Sequence, residues 1–255
     1  MQTQKELRRQ GEAMRVRLFG EAEAGRPGRG DAAPGFRDLM SEAVYGAVWS
    51  RPGLALPDRM ICTLAALCAA QRLPQLRRYV AAALHIGMEP RSILEPFIQI
   101  GIYGGFTASE EAIDVAQMVI KERGVAMPAC NERNQAREAL MKRGQQILQS
   151  LHRERGKLGY AAPDNPFTNA LYPLAIEYGY GEIWDRPGLD LRQRALCAVA
   201  GFTALRMEDQ LKKFGQSALN AGLSRTEVIE GVAQTGPYSG FAPALNALRW
   251  LSEVL

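Results

Sequence analysis

A chain that repeats itself without a gap has to fold as two copies of one unit. Displacing this sequence on itself by 135 residues lays Tyr45-Gly46-Ala47-Val48-Trp49-Ser50-Arg51-Pro52-Gly53-Leu54 on Tyr180-Gly181-Glu182-Ile183-Trp184-Asp185-Arg186-Pro187-Gly188-Leu189. The register holds for about seventy residues: Arg59 meets Arg194, Cys62 meets Cys197, Gln75-Leu76 meets Gln210-Leu211, Glu95 meets Glu230, Gln99 meets Gln234 and Tyr103 meets Tyr238. Roughly a third of the paired positions are identical, far beyond a chance gapless match, so the chain is a duplication. Each copy follows a charged, helix-prone lead, Lys5–Gly20 in the first and Arg137–Gly156 in the second. The polar, proline-containing stretch at Met127-Pro128-Ala129-Cys130-Asn131 is the natural junction, giving units 1–128 and 129–255.

Both units read as helices. Leu191, Ala195, Val199 and Phe202 recur at helical spacing, as do Leu211, Phe214, Ala218 and Ala221. Gly87 and Gly222 fall where a helix should stop, because glycine enters a left-handed backbone without steric cost. Ser224-Arg225-Thr226-Glu227 is a capping box that starts the next helix, Pro90 makes the same start in copy one, and Pro243 is expected to open the last helix. No segment alternates with the period of a half-buried strand, so the fold class is all-α. A net charge of +4, with basic residues scattered, argues against nucleic acid, and the apolar runs are too short for a membrane span. The polar N-terminus lacks the apolar core of a secretory signal, so a cytoplasmic location is expected. Four widely spaced cysteines and two histidines suggest neither a disulfide framework nor a metal site.

At the W-x-R-P-G-L segment, and again at Ala218-Leu219-Asn220-Ala221-Gly222-Leu223 and Tyr238-Ser239-Gly240-Phe241-Ala242-Pro243-Ala244, the chain resembles the carboxymuconolactone decarboxylase family of the alkyl hydroperoxidase D-like superfamily. The resemblance covers nearly the whole chain, twice, and copy two is the closer match. It implies two tandem helical bundles and, since single-domain members form rings of six, a homo-oligomer: a trimer of tandem chains as a pseudo-hexamer, or a dimer. The superfamily's peroxidase branch carries C-x-x-C followed by His; here those positions are Met207, Gln210 and Phe214, and in copy one Arg72, Gln75 and Tyr79. A dithiol peroxidase needs two close thiols, so that activity is disfavoured. The His that decarboxylase-like members keep is replaced by Tyr79 and Phe214.

Several residues are candidates for a site, each with a plain structural alternative. Glu182, whose mate is Ala47, stands where the family keeps a glutamate and is a candidate general acid/base beside Trp184; the alternative is a surface carboxylate. Arg51 and Arg186 could grip a substrate carboxylate from a rigid proline–glycine turn, or tie that turn to a helix end. Arg194, like Arg59, precedes a cysteine by one helical turn and could bind an anion or lower a thiol pKa; a small core cysteine is the commoner case. Tyr79 could replace the missing His as an acid, and Tyr238 could hydrogen-bond a developing oxyanion; both could equally be packing residues. Trp49, Trp184 and Tyr103 would wall a pocket. His85 suits a helix C-terminus but is also a candidate ligand-binding group, and His152, in the charged lead, is expected on the solvent face.

The resulting expectation is a cofactor-independent decarboxylase or isomerase acting on a small carboxylate such as a lactone acid, with no metal. Loss of carbon dioxide leaves an enolate to be protonated, so the protein must supply a cationic anchor, donors at the oxyanion and a proton source. One alternative is a related enzyme doing proton transfer, ring opening or cyclisation on this scaffold. Another is a catalytically silent binding or assembly protein, which the Phe214 replacement favours.

Overall fold

The computed structural model describes residues 2–25, 32–129, 134–157 and 165–255, and among these the regular structure is helical throughout. Copy one comprises α1 (Gln4–Phe19), a π-helical segment Met40–Trp49, α2 (Leu56–Ala69), α3 (Leu73–His85), α4 (Pro90–Gly104) and α5 (Phe106–Glu122). Copy two repeats the series as α6 (Arg137–His152), a π-helical segment Ala175–Ile183, α7 (Leu191–Leu205), α8 (Glu208–Asn220), α9 (Arg225–Ser239) and α10 (Phe241–Ser252). Cys130 falls outside the described residues, and no helix among them is long and apolar enough to cross a membrane.

Local chemistry sets the helix ends. Ser224 and Glu227 cap α9 reciprocally, Pro90 occupies the first position of α4, and Gly87 and Gly222 take φ of 84° and 97° just beyond α3 and α8. The last helix starts at Phe241 rather than Pro243, because Gly240 at φ 102° already turns the chain and Pro243 fits the first turn, where no N–H is needed.

In each copy the lead helix crosses its π segment at two glycines. A Cβ on Gly11 would lie 1.8 Å from the Ser41 carbonyl oxygen, and one on Gly46 2.3 Å from that of Leu7. In copy two, a Cβ on Gly144 would lie 2.2 Å from the Ile176 carbonyl oxygen, and one on Gly181 2.1 Å from that of Leu140. The π segments obey the displacement of 135, but the crossing fixes a displacement of 133 for the leads: Leu7 corresponds to Leu140 and Gly11 to Gly144. The final residues of α1 and α6, Phe19 and His152, are therefore counterparts.

The copies share one core. Helices α2 and α7, buried along most of their length, pack against each other at the centre, flanked by α4 and α9. Arg51 and Arg59 of copy one hold Glu230 of copy two at 2.6 and 2.8 Å, while Arg186 and Arg194 of copy two each hold Glu95 of copy one at 3.0 Å. Arg59 also donates to Gln234, and Arg194 to Gln99. Each contact thus has its mirror, as at an isologous dimer interface.

Candidate active site

The tryptophan that ends each π segment, or follows it, points at the opposite copy. Trp49 donates its indole N–H to the Tyr238 hydroxyl at 2.6 Å, and Trp184 donates to the Tyr103 hydroxyl at 3.0 Å. Each tryptophan–tyrosine pair anchors an aromatic cluster, and the two clusters differ.

In copy one the cluster is packed. Tyr79 stacks nearly parallel on Trp49, with centroids 5.8 Å apart, and its hydroxyl accepts from Tyr238 at 2.7 Å and lies 3.3 Å from that of Tyr45. Phe19 closes the group edge-on to Tyr45 and Tyr79 at 5.9 and 5.6 Å, with the Arg78 guanidinium 4.2 Å above its ring. Burial pushes the Tyr79 and Tyr238 phenols well above their ordinary value, so both stay protonated and are spent on each other and on Trp49. The neighbouring space, bounded by Trp49, Arg51 and Arg59, amounts to about 150 Å³.

In copy two the same position opens into a cavity of about 470 Å³, walled by Tyr103, Tyr180, Trp184, Phe202 and Phe214 and reached past Phe167 and Leu171. Met207, Gln210 and Lys213, from the start and middle of α8, complete the wall. His152 lies directly behind Tyr180. It is fully buried, against the expectation that it faces solvent, because the crossing of α6 over the π segment turns this end of the helix inward. Its ring meets Phe214 edge-on at 4.7 Å, so an imidazole stands beside the position where the family's His is missing.

Hydrogen bonds fix the state of that imidazole. The Ser217 hydroxyl donates to the Lys213 carbonyl at 3.0 Å, so at 2.7 Å from His152 Nδ1 it accepts. With the proton on Nδ1, bare Nε2 receives the Tyr180 O–H at 2.7 Å. Burial, with the charges of Lys213 and Arg155, holds His152 down to about 3, so it is neutral at physiological pH. Lys213 in turn is pulled below its ordinary value by burial and by Arg155. The array runs from the cavity through Tyr180 and His152 to Ser217, with an ammonium on the cavity wall.

Of the residues marked in the sequence, Trp184 and Tyr103 line this cavity. Trp49, Tyr79 and Tyr238 lie in the packed cluster instead. Arg51, Arg186 and Arg194 are engaged by Glu230 and Glu95 and so serve the contact between copies. At Glu230 burial raises the carboxyl, but hydrogen bonds from Arg51 and Arg59 outweigh it and leave the group below its ordinary value. Glu182 is one-fifth exposed, 3.9 Å from Arg186, and is not a lining residue. His85 ends α3 exposed beside Gly20. Cys62, Cys68 and Cys197 are buried; burial pushes the first two thiols up to about 12 and Cys197 well above its ordinary value, so Arg59 and Arg194 do not activate the cysteines one turn after them.

The sequence profile of the Carboxymuconolactone decarboxylase family matches residues 34–118 and 170–253, once in each copy. The chain is similar to the 4-carboxymuconolactone decarboxylase of Acinetobacter baylyi, 31% identical over 126 residues, which are 49% of this chain and 94% of that protein. It is also similar to the nitrosuccinic acid decarboxylase of Metarhizium robertsii, 30% identical over 83 residues, 32% of this chain and 58% of that one. A solved structure from Burkholderia xenovorans, a candidate gamma-carboxymuconolactone decarboxylase subunit, superposes with a TM-score of 0.58 at 19% identity, over 99% of this chain and 97% of the other, so the tandem fold recurs there as a whole. With both copies matched, this chain belongs to the carboxymuconolactone decarboxylase family.

Proposed function

We propose that the chain is a carboxy-lyase acting on a small carboxylate, and that its chemistry takes place in the cavity of copy two. The observation that carries this reading is the Tyr180–His152–Ser217 array on the wall of an open cavity, at the place where copy one is filled by Phe19 and Tyr79. The decarboxylases among its relatives support the reaction class.

Replacing a carboxylate by hydrogen consumes one proton. Turnover begins with His152 taking up a proton from solvent at Nε2 against the burial that chiefly holds it down, a step that a substrate carboxylate near Lys213 favours by offsetting the smaller share due to the cations. The carbon–carbon bond to the carboxylate then breaks. Its electron pair moves into the adjacent carbonyl, and carbon dioxide leaves. Tyr180 delivers its phenolic proton to the carbanion carbon and regains one from the His152 imidazolium, returning the site to its starting state. Glu182, without a place in the lining, is left to orient Arg186.

A second reading has its own support. With Nε2 bare, the resting Tyr180–His152 pair is set to accept a proton, which suits abstraction from carbon and isomerisation. Assaying a panel of lactone and keto acids for carbon dioxide, and for deuterium exchange without it, separates the two. His152→Phe and Tyr180→Phe are each expected to lower kcat at least 100-fold, the lower range for a positioned acid/base, while Tyr79→Phe stays within about threefold. Wild-type turnover in His152→Phe would sink the assignment.

A further inference from the structure

The composition of the wall says more about the substrate than the reaction class does. Among the described residues lining the copy-two cavity, Lys213 is the one charged side chain, and none of them carries a carboxylate. Gln210 lies one turn before Lys213 on α8, so an amide and an ammonium address the same end of the space. Apart from the hydroxyls of Thr168 and the tyrosines, the rest is flat or aliphatic. Tyr180 and Trp184 lie nearly parallel, 22° apart with centroids at 6.0 Å, and Phe214 is tilted 35° to Trp184 at 5.9 Å. A volume of about 470 Å³ suits a ligand bearing a ring, and leaves a short acid without contacts on most sides. In copy one the residue matching Lys213 is Arg78, whose guanidinium covers Phe19 instead of an open space.

We infer that this cavity selects an acid with a single carboxylate and a flat apolar body, its carboxylate held at Lys213 and Gln210 and its ring against Trp184 and Phe214. A second carboxylate on the ring would face aromatic carbon, with no second cation among the described lining residues to meet it, and desolvating it there opposes binding. The inference rests on the proposed location of the chemistry, but it is tested by binding rather than turnover.

Three probes of one skeleton serve: 3-phenylpropanoate, 3-(4-carboxyphenyl)propanoate, which adds a second carboxylate on the ring, and 3-phenylpropanamide, which removes the charge. By titration calorimetry, 3-phenylpropanoate is expected to bind the full-length protein at least tenfold more tightly than either of the others, and than succinate. Lys213→Met should reduce its affinity to that of the amide and leave the amide unchanged. Selective binding of 3-phenylpropanoate without carbon dioxide release from any acid supports the inference and removes the reaction assignment. Turnover accompanied by equal binding of 3-(4-carboxyphenyl)propanoate and 3-phenylpropanoate overturns the inference and leaves the reaction standing. Failure of all three aryl probes to bind the wild-type protein overturns it as well.

Discussion

At the buried end of α6, His152 converts one side chain's surroundings into a property of the whole protein. In the unfolded chain an imidazole titrates near 6.5, and in the folded site it is held to about 3. Between those values the unfolded chain binds the additional proton. Stability therefore falls as the pH drops below about 6.5, and this group contributes no pH dependence above it. At pH 5 the loss relative to pH 7.5 is about 2 kcal/mol, which urea denaturation would show as a lower midpoint. His152→Phe, which installs the residue that copy one carries at this place, should flatten the profile across that range. Glu230 acts with the opposite geometry: its depressed carboxyl contributes stability above its ordinary value of 4.5, lost only as the pH falls further. The two groups are thus distinguishable by where each profile bends.

The lead helices show how an element delivers a residue to a site. Gly144 and Gly181 let α6 lie against the π segment at backbone contact, and that closeness carries His152 behind Tyr180. Gly144→Ala would set a methyl against the Ile176 carbonyl, costing about 1–3 kcal/mol as overpacking and moving His152 away from Tyr180, so both Tm and kcat should fall. Gly11→Ala meets the Ser41 carbonyl in the same way, and is expected to lower Tm while leaving kcat nearly unchanged. The helices downstream of the π segments were legible from periodicity, glycine stops and the capping box at Ser224, because those signals are local. His152 was not. A constant displacement of 135 sets it opposite Arg17, an exposed residue, whereas the two-residue slip of the lead sets it opposite Phe19. The pairs Leu7/Leu140 and Gly11/Gly144 were the signal that could have revealed the slip. The π segments leave no periodic trace, and the partners of Arg51 and Arg186 lie in the other copy, beyond the reach of any local pattern.

Over the whole molecule, the crossed arginine–glutamate contacts decide whether the copies are separable. Arg59 and Arg194 are almost wholly buried, and each depends on a carboxylate from the opposite copy. Glu230→Ala would leave the Arg59 guanidinium buried beside Arg51 without its counterion, a loss of about 3–5 kcal/mol, measurable as a shift in the urea midpoint at pH 7.5. A single cooperative transition is expected, since one core runs through both copies. The crossed tryptophan–tyrosine bonds have a separate consequence for heredity. Where two identical subunits meet, any change in the gene is written into both active sites and both supporting walls together. In this chain Tyr103 braces Trp184 from a coding position distinct from that of Tyr238, which braces Trp49. A substitution can therefore enlarge one chamber while its twin hardens into scaffold. Physical fusion has thus uncoupled two histories that symmetry would have kept in step.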